Sequence, residues 1–463
     1  MFNITRKLQK MSQKTFADLG VPKNIVAELS KQGIDSPFPI QLDTLVDTLS
    51  GKDVLGRGKT GSGKTLAFGI PMVARLSGKQ SGSRGSKPLG LVLAPTRELA
   101  TQIAGTMQPL AEVMGLRVTT IFGGVPQSRQ VKAIREGVEI IVATPGRLED
   151  LMQQGLLKLD AIQITVLDEA DHMADLGFLP GVTRILNATP KTGQRMMFSA
   201  TLDNGVNKLV DRFLSNQVMH SVDEANSPVT QMTHHVFEAA SPEAKNELIS
   251  ALASGTGRRI LFMRTKHHAK KLAKTLTRAG IPAVDLHGAL SQNARDRNLA
   301  SFSAGTVKVL VATDVAARGV HVDDVSLVIH VDPPAEHKAY LHRSGRTARA
   351  GATGDVVTLC LPTQRKDLAD LLRKAKILVT PKKVTTSSPE VLALIGDVAA
   401  YVKPAPVVQQ QGGGKSNGRN AQRKRTARES GSAPLVAGRN NRSRPATSAA
   451  RPAAAGRSGQ RSR

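Results

Sequence analysis

Residues 58–65 read GKTGSGKT, which fits GxxxxGK[ST] between a strand-like DVL and a helix-like TLAFGI. That context makes a phosphate-binding loop: glycines let backbone N–H groups close around the anion, an ammonium reaches the β and γ phosphates, and a hydroxyl reaches Mg²⁺. Lys64 is the ammonium, Thr65 the hydroxyl, and Thr60, Gly61, Ser62 and Gly63 form the loop. Further on, Asp168-Glu169-Ala170-Asp171 ends another apolar run. Hydrolysis of a phosphoanhydride needs one carboxylate to hold Mg²⁺ and a second to orient or deprotonate the attacking water. Asp168 suits the first task and Glu169 the second. A third segment, HRSGRTARAG at 342–351, spaces Arg343, Arg346 and Arg349 three apart, so they face one way if the segment is helical. A guanidinium that neutralises charge on a γ-phosphate is worth roughly a thousandfold in rate.

These groups are scattered along the chain and need a scaffold to converge. Short continuous apolar runs at 53–55, 91–94, 140–143, 165–167 and 195–198, then at 260–263, 283–286, 309–311, 327–330 and 356–360, each precede a polar turn and a helix-like stretch. They predict buried parallel strands in βαβ units, an α/β architecture whose ligands bind beyond the strand carboxyl ends. The expected organisation is an extension at 1–13, one lobe at 14–222, a connection at 223–240 marked by Pro228, a second lobe at 241–384, and a short helix within 385–403, drawn over 389–402. From 404 to 463 the composition turns to Gly, Ser, Ala, Pro, Asn and Arg. Lys415, Lys424 and eleven Arg there face a single acid, Glu429, a net of +12. Such a tail is expected to be disordered and to tether RNA by releasing counterions.

Composition narrows the partners. Sixty-four Lys and Arg against 37 Asp and Glu give +27, the balance of a chain that meets a polyanion. No run of eighteen apolar residues and no secretory leader is present, so a membrane partner is not expected and the cytoplasm is the expected location. The lone cysteine, Cys360, lies in VVTLCLP and reads as a buried strand residue, and no Cys/His cluster suits zinc. With no Trp and two Tyr, nucleic acid must be gripped mainly by its backbone.

Taken together these residues resemble the DEAD-box family of superfamily 2 helicases, in order from about Phe16 to Gly351. The resemblance implies two tandem RecA-like domains, each a mostly parallel sheet flanked by helices. It also implies an ATP- and Mg²⁺-dependent RNA helicase, monomeric, that opens short duplexes locally. Phe16 with Pro37-Phe38-Pro39-Ile40-Gln41 resembles the adenine-reading Q motif, Phe16 stacking on the base and Gln41 bonding its edge. Pro95, Thr96, Arg97, Gly124, Thr144, Pro145 and Arg147 look like RNA-backbone contacts of the first lobe. Gly288, Gln292, Arg295 and Thr313 look like those of the second. Ser199 and Thr201 of the SAT motif, with Asp171, His342 and Arg343, would couple ATP state to unwinding. Asp314 would contact nucleotide, and Arg346 and Arg349 would be the arginine fingers. Gly58, Lys59, Phe38, Ser344 and Ala348 depart from the commonest pattern without removing a charged or catalytic group. Two rivals remain: an RNA clamp with negligible turnover, and a DNA translocase. Ribosomal and RNA-decay assemblies both fit the family.

Overall fold

The computed structural model describes residues 14–58, 61–79, 87–202, 204–222, 232–317, 322, 324–348 and 353–404. Thr60, Arg349, the 1–13 extension and the tail from 405 onward lie outside the described residues.

Apolar runs without alternation can be buried only if both strand faces are covered, which calls for parallel strands between helices. Both halves of the chain do this. The first sheet contains β1 (Val54–Arg57), β2 (Gly90–Leu93), β3 (Val118–Ile121), β4 (Ile140–Ala143), β5 (Ile164–Leu167), β6 (Gln194–Ser199) and β7 (Val218–Ser221), in the order β3-β4-β2-β5-β6-β1-β7. The second contains β8 (Met232–Glu238), β9 (Arg258–Phe262), β10 (Ala283–Leu286), β11 (Val309–Ala312), β12 (Val325–His330), β13 (Gly354–Cys360) and β14 (Lys382–Lys383), in the order β10-β11-β9-β12-β13-β8-β14. Successive residues of β2 point to opposite faces: Val92 joins one core cluster, and Leu91 and Leu93 join the other. These are two RecA-like domains, as the sequence implied.

The strand order explains the convergence. β5, β6 and β1 are adjacent and parallel, so the acidic segment after β5, the end of β6 and the Gly-rich loop after β1 meet at the carboxyl end of the sheet. In the second sheet β10 and β11 adjoin, which brings Gly288 and Thr313 to one end.

Three expectations are corrected. The 223–240 connection is shorter, because Met232–Glu238 is a strand that pairs with Gly354–Cys360 along its whole length. Strands β3 and β7 were also unexpected; each lies at a sheet edge, where half-exposed residues break the apolar run. The helix drawn over 389–402 is confined to Pro389–Ile395, since Gly396 adopts a left-handed φ of 61° and Arg259 caps the Ile395 carbonyl at 2.7 Å. Cys360 is buried in β13, as expected. No helix among the described residues is long and apolar enough to cross a membrane.

The second domain buries an imidazole network. His330 is fully buried edge-on to Tyr340, with centroids 4.7 Å apart, and its Nδ1 lies 3.2 Å from the Thr358 hydroxyl. His234 Nδ1 lies 3.0 Å from the Tyr340 hydroxyl. Burial pushes His234 down to about 4 and His330 well below the usual histidine range. The unfolded chain therefore binds more protons below about pH 6.5, and the stability these groups lend above that pH is lost as pH falls towards 4. Thermal denaturation from pH 7.5 to 4.5 should show falling stability over this window, with a shallower slope in His330→Asn. Equal slopes would contradict the assignment.

Candidate functional site

The Gly-rich loop leads into the helix Lys64–Leu76. Gly61 and Gly63 have φ of 89° and 87°, values that turn successive N–H groups towards one point. A Cβ on Gly63 would lie 2.6 Å from Gln41 Nε2 and 3.0 Å from the Phe38 ring, so only glycine fits. Lys64 is buried and donates to the Gly58 carbonyl at 2.7 Å. Ser62 Oγ is buried without a hydrogen-bond partner among the described residues, a polar atom left over inside the loop.

The expected base readers are placed differently. Phe16 is 1% exposed, its ring packed in the first domain's core beside Leu19, Val21 and Ile25, so it offers no face to a base. Gln41 is fully buried. Its Oε1 accepts from Phe38 N and its Nε2 donates to Gly63 O, both at 2.9 Å, which ties the start of the helix Pro39–Leu49 to the phosphate loop. The aromatic standing open here is Phe38, 44% exposed. Sequence reasoning noted it only as a departure from the family pattern.

Asp168 and Glu169 follow β5 and are both buried. Glu169 sits at φ 51°, ψ 53°, a left-handed conformation uncommon outside glycine, and so turns its carboxylate away from the strand direction. Its Oε2 lies 3.2 Å from His172 Nδ1. Burial pushes Asp168 up to about 7, with neighbouring Glu169 adding to the rise and Lys64 opposing it. For Glu169 burial also acts upward, but His172, Arg346 and Lys64 outweigh it and hold the carboxyl well below the usual range. Asp171 faces the SAT segment. Its Oδ2 accepts from Thr201 N and Thr201 Oγ1, each at 2.9 Å, while its own N–H donates to Ser199 Oγ at 3.2 Å. Ser199 Oγ closes the network on the Thr201 carbonyl at 2.7 Å. The carboxylate cluster and the SAT segment thus form one hydrogen-bonded unit.

From the second domain, the helix His337–Ser344 ends at Gly345. Arg343 therefore lies in its last turn and Arg346 beyond it, so these two arginines do not share one helical face. Arg343 is buried and forks onto Asp314, Nη2 reaching Oδ2 at 2.8 Å, while Nη1 donates to the Asp332 carbonyl at 2.7 Å. Asp314 is engaged by Arg343 here, and this pairing was not foreseen. Arg346 is 5% exposed; its Nε donates to the His342 carbonyl, and its charge reaches Glu169 of the other domain. His342 is half-buried.

The residues expected to hold RNA lie along both domains. Thr96 caps the helix Arg97–Glu112 by accepting from Leu99 N, with Pro95 buried before it. A Cβ on Gly124, whose φ is 79°, would overlap the Arg97 guanidinium, so this glycine is required for Arg97 to lie where it does. Pro145 is the first residue of the helix Pro145–Gln153 behind Thr144, and Arg147 donates to the Val125 carbonyl at 3.4 Å. Gly288 is exposed after β10, and Thr313 is half-buried after β11. Arg97 Nη1 reaches Gln292 Oε1 at 3.3 Å, and Arg295 Nε, on a largely buried side chain, reaches the buried Glu98 Oε1 at 2.6 Å. Arg97, Gln292 and Arg295 therefore join the two domains to each other. Glu98, absent from the expected site, is the acid on which this junction turns. The sequence signal was its place inside the Pro95-Thr96-Arg97-Glu98-Leu99-Ala100 motif, where no role of its own fell to it.

Comparison with known proteins agrees with this geometry. Residues 38–209 match the DEAD/DEAH box helicase family model and residues 243–351 the helicase conserved C-terminal domain. The chain is 40% identical over 349 residues to DEAD-box ATP-dependent RNA helicase 53 of Oryza sativa subsp. japonica, covering 74% of this chain and 57% of the relative, so it spans little over half of that protein. It is 40% identical over 375 residues to DEAD-box ATP-dependent RNA helicase 5 of Arabidopsis thaliana, covering 78% of this chain and 70% of that one. Among solved structures, S. cerevisiae Dbp5 bound to RNA and ADP BeF3 superposes with a TM-score of 0.73 at 28% identity, covering 83% of this chain and 100% of the other. The ordered motifs, the paired RecA-like sheets and these matches place the chain in the DEAD-box RNA helicase family.

Proposed function

We propose that this protein is an RNA-dependent ATPase that clamps RNA by its backbone and opens short duplexes locally when its two domains close around ATP. The observation that carries the reading is Glu169, a buried carboxylate under the combined charge of Lys64 from its own domain and Arg346 from the other. A solved relative was captured with RNA and ADP BeF3, ligands of the classes proposed here.

In this reading the loop from Thr60 to Thr65 receives the phosphates. The unpartnered Ser62 hydroxyl and the Lys64 ammonium, now resting on a backbone carbonyl, turn to the anion. Asp168 and Thr65 would hold Mg²⁺, which supplies charge neutralisation across the β and γ phosphates. They fit: Asp168 is buried, and the neighbouring charges of Glu169 and Asp171 add to the rise of its carboxyl, which a cation bound there would relieve. Glu169, kept ionised by its neighbours, orients the attacking water more than it draws off a proton. Arg346, with Arg349, neutralises charge on the γ-phosphate. The Asp171–Thr201–Ser199 unit transmits the state of the site, and Arg343 on Asp314 braces the second domain.

RNA runs across Thr96, Arg97, Gly124, Thr144 and Arg147 of one domain and Gly288, Gln292, Arg295 and Thr313 of the other. Contacts of this kind are sequence-independent and salt-sensitive. Glu169→Gln should retain ATP and RNA binding and lose nearly all turnover; full ATPase activity in that variant would remove Glu169 from its role. Stimulation by DNA as strong as by RNA would favour a DNA translocase instead.

The base, in turn, falls to Phe38. Stacking is worth roughly 1–3 kcal/mol per base, so Phe38→Ala should raise the KM for ATP about tenfold and leave kcat nearly unchanged. An unaltered KM would show that the base rests elsewhere.

A further inference from the structure

The helix Lys266–Arg278, KHHAKKLAKTLTR, carries five cations and no acid. Lys266, Lys270, Lys271, Lys274 and Arg278 are all exposed, while Ala269, Ala273 and Leu276 are buried against the sheet. At 3.6 residues per turn the five cations fall within an arc of roughly 140° on the outer flank. Several other exposed helical cations of this protein have acids three or four residues away: Lys31 with Glu28, Lys132 with Glu136, Arg373 with Asp370. Here the near neighbours are like charges, Lys266 with Lys270, Lys270 with Lys274 and Lys274 with Arg278, an arrangement that destabilises an isolated helix. A bound polyanion relieves that repulsion.

Position says which polyanion. The helix starts at the carboxyl end of β9, where Thr265 caps it by accepting from His268 N. It packs over β10 and β11, the strands whose carboxyl ends carry Gly288 and Thr313. The basic stripe therefore begins at the edge of the sheet that bears the second domain's proposed RNA contacts. It runs from there for roughly 18 Å.

We propose that the Lys266–Arg278 helix is a separate backbone-binding track for the RNA duplex that flanks the segment held between the domains. The inference rests on the functional reading above. Charge complementarity on a helix face reads phosphates and not bases, so the track is indifferent to sequence. Its occupant is duplex because the single strand is already held by the interdomain residues.

The test uses the full chain and the variant Lys270→Ala/Lys271→Ala/Lys274→Ala, whose alanines preserve helix propensity. Affinity is measured from 50 to 300 mM KCl for a hairpin with a single-stranded overhang and for the overhang alone. The tail is present in both proteins and cancels. For the hairpin, the variant should bind roughly tenfold more weakly at low salt, with a log–log salt slope shallower by up to about 2.7, or about 0.9 for each lost phosphate contact. For the overhang, affinity and the stimulation of ATP turnover should match wild type. Unchanged hairpin affinity and slope overturn the track, and so does an equal loss on hairpin and overhang. If wild-type protein binds neither RNA, the functional reading itself fails, a result separable from the failure of the track alone.

Discussion

Arg346→Ala is expected to lower RNA-stimulated ATP turnover by about three orders of magnitude while ATP and RNA still bind. Arg346 is 5% exposed and lies close enough to Glu169, across the domain boundary, to help hold that carboxyl ionised. A guanidinium brought to a γ-phosphate in a water-poor site is worth roughly 10³–10⁵ in rate, because charge accumulates there as the bond breaks. Arg346→Lys should recover only part of the loss, since an ammonium lacks the planar fork. Steady-state turnover at saturating RNA and ATP separates the variants. An Arg346→Ala enzyme within threefold of wild type would show that the second domain does not complete the site.

Breaking the junction between the domains should be nearly as damaging, by a different route. Glu98 accepts from Arg295 at 2.6 Å, and the two side chains are 5% and 11% exposed. Removing one member of a buried ion pair strands the other, at a cost of roughly 3–5 kcal/mol. Glu98→Ala should therefore weaken RNA-stimulated turnover by a hundredfold or more through a smaller population of closed molecules. Its unstimulated ATPase, which does not need closure, should change little. Gln292, which reaches both Arg97 and Glu98, should show a milder form of the same defect. The reversed pair, Glu98→Arg with Arg295→Glu, should recover a measurable part of the stimulation. No recovery, together with normal closure of Glu98→Ala, would contradict the account.

Much of this site was legible in residue type, because the chemistry admits few substitutes. Lys64, Asp168 and Glu169 follow buried strands whose apolar runs were plain, and the backbone delivered them together as β1, β6 and β5 became neighbours. The sheet margins were the less legible part: VTTI of β3 is mostly half-buried, VMHS of β7 exposes alternate residues, and MTHHVFE of β8, next to the edge, carries two histidines in a stretch that also looked like a connection. Their place in the sheets comes from long-range pairing, which leaves little local signal. The base site misled for a related reason. Residue type and spacing pick out Phe16 and Gln41, but whether a ring faces a ligand or a core depends on packing, and only the fold shows Phe16 buried and Phe38 open. The Glu98–Arg295 pair joins residues 197 apart in the chain, a separation at which charge complementarity cannot be read from order alone.

The central claim is that neither domain alone hydrolyses ATP well and that RNA draws the two together. It is tested most directly by the rate of ATP hydrolysis of the purified chain with and without single-stranded RNA at saturating nucleotide. A large rise on adding RNA, lost in Arg346→Ala, is the predicted result. A rate indifferent to RNA, or one that Arg346→Ala preserves, contradicts it.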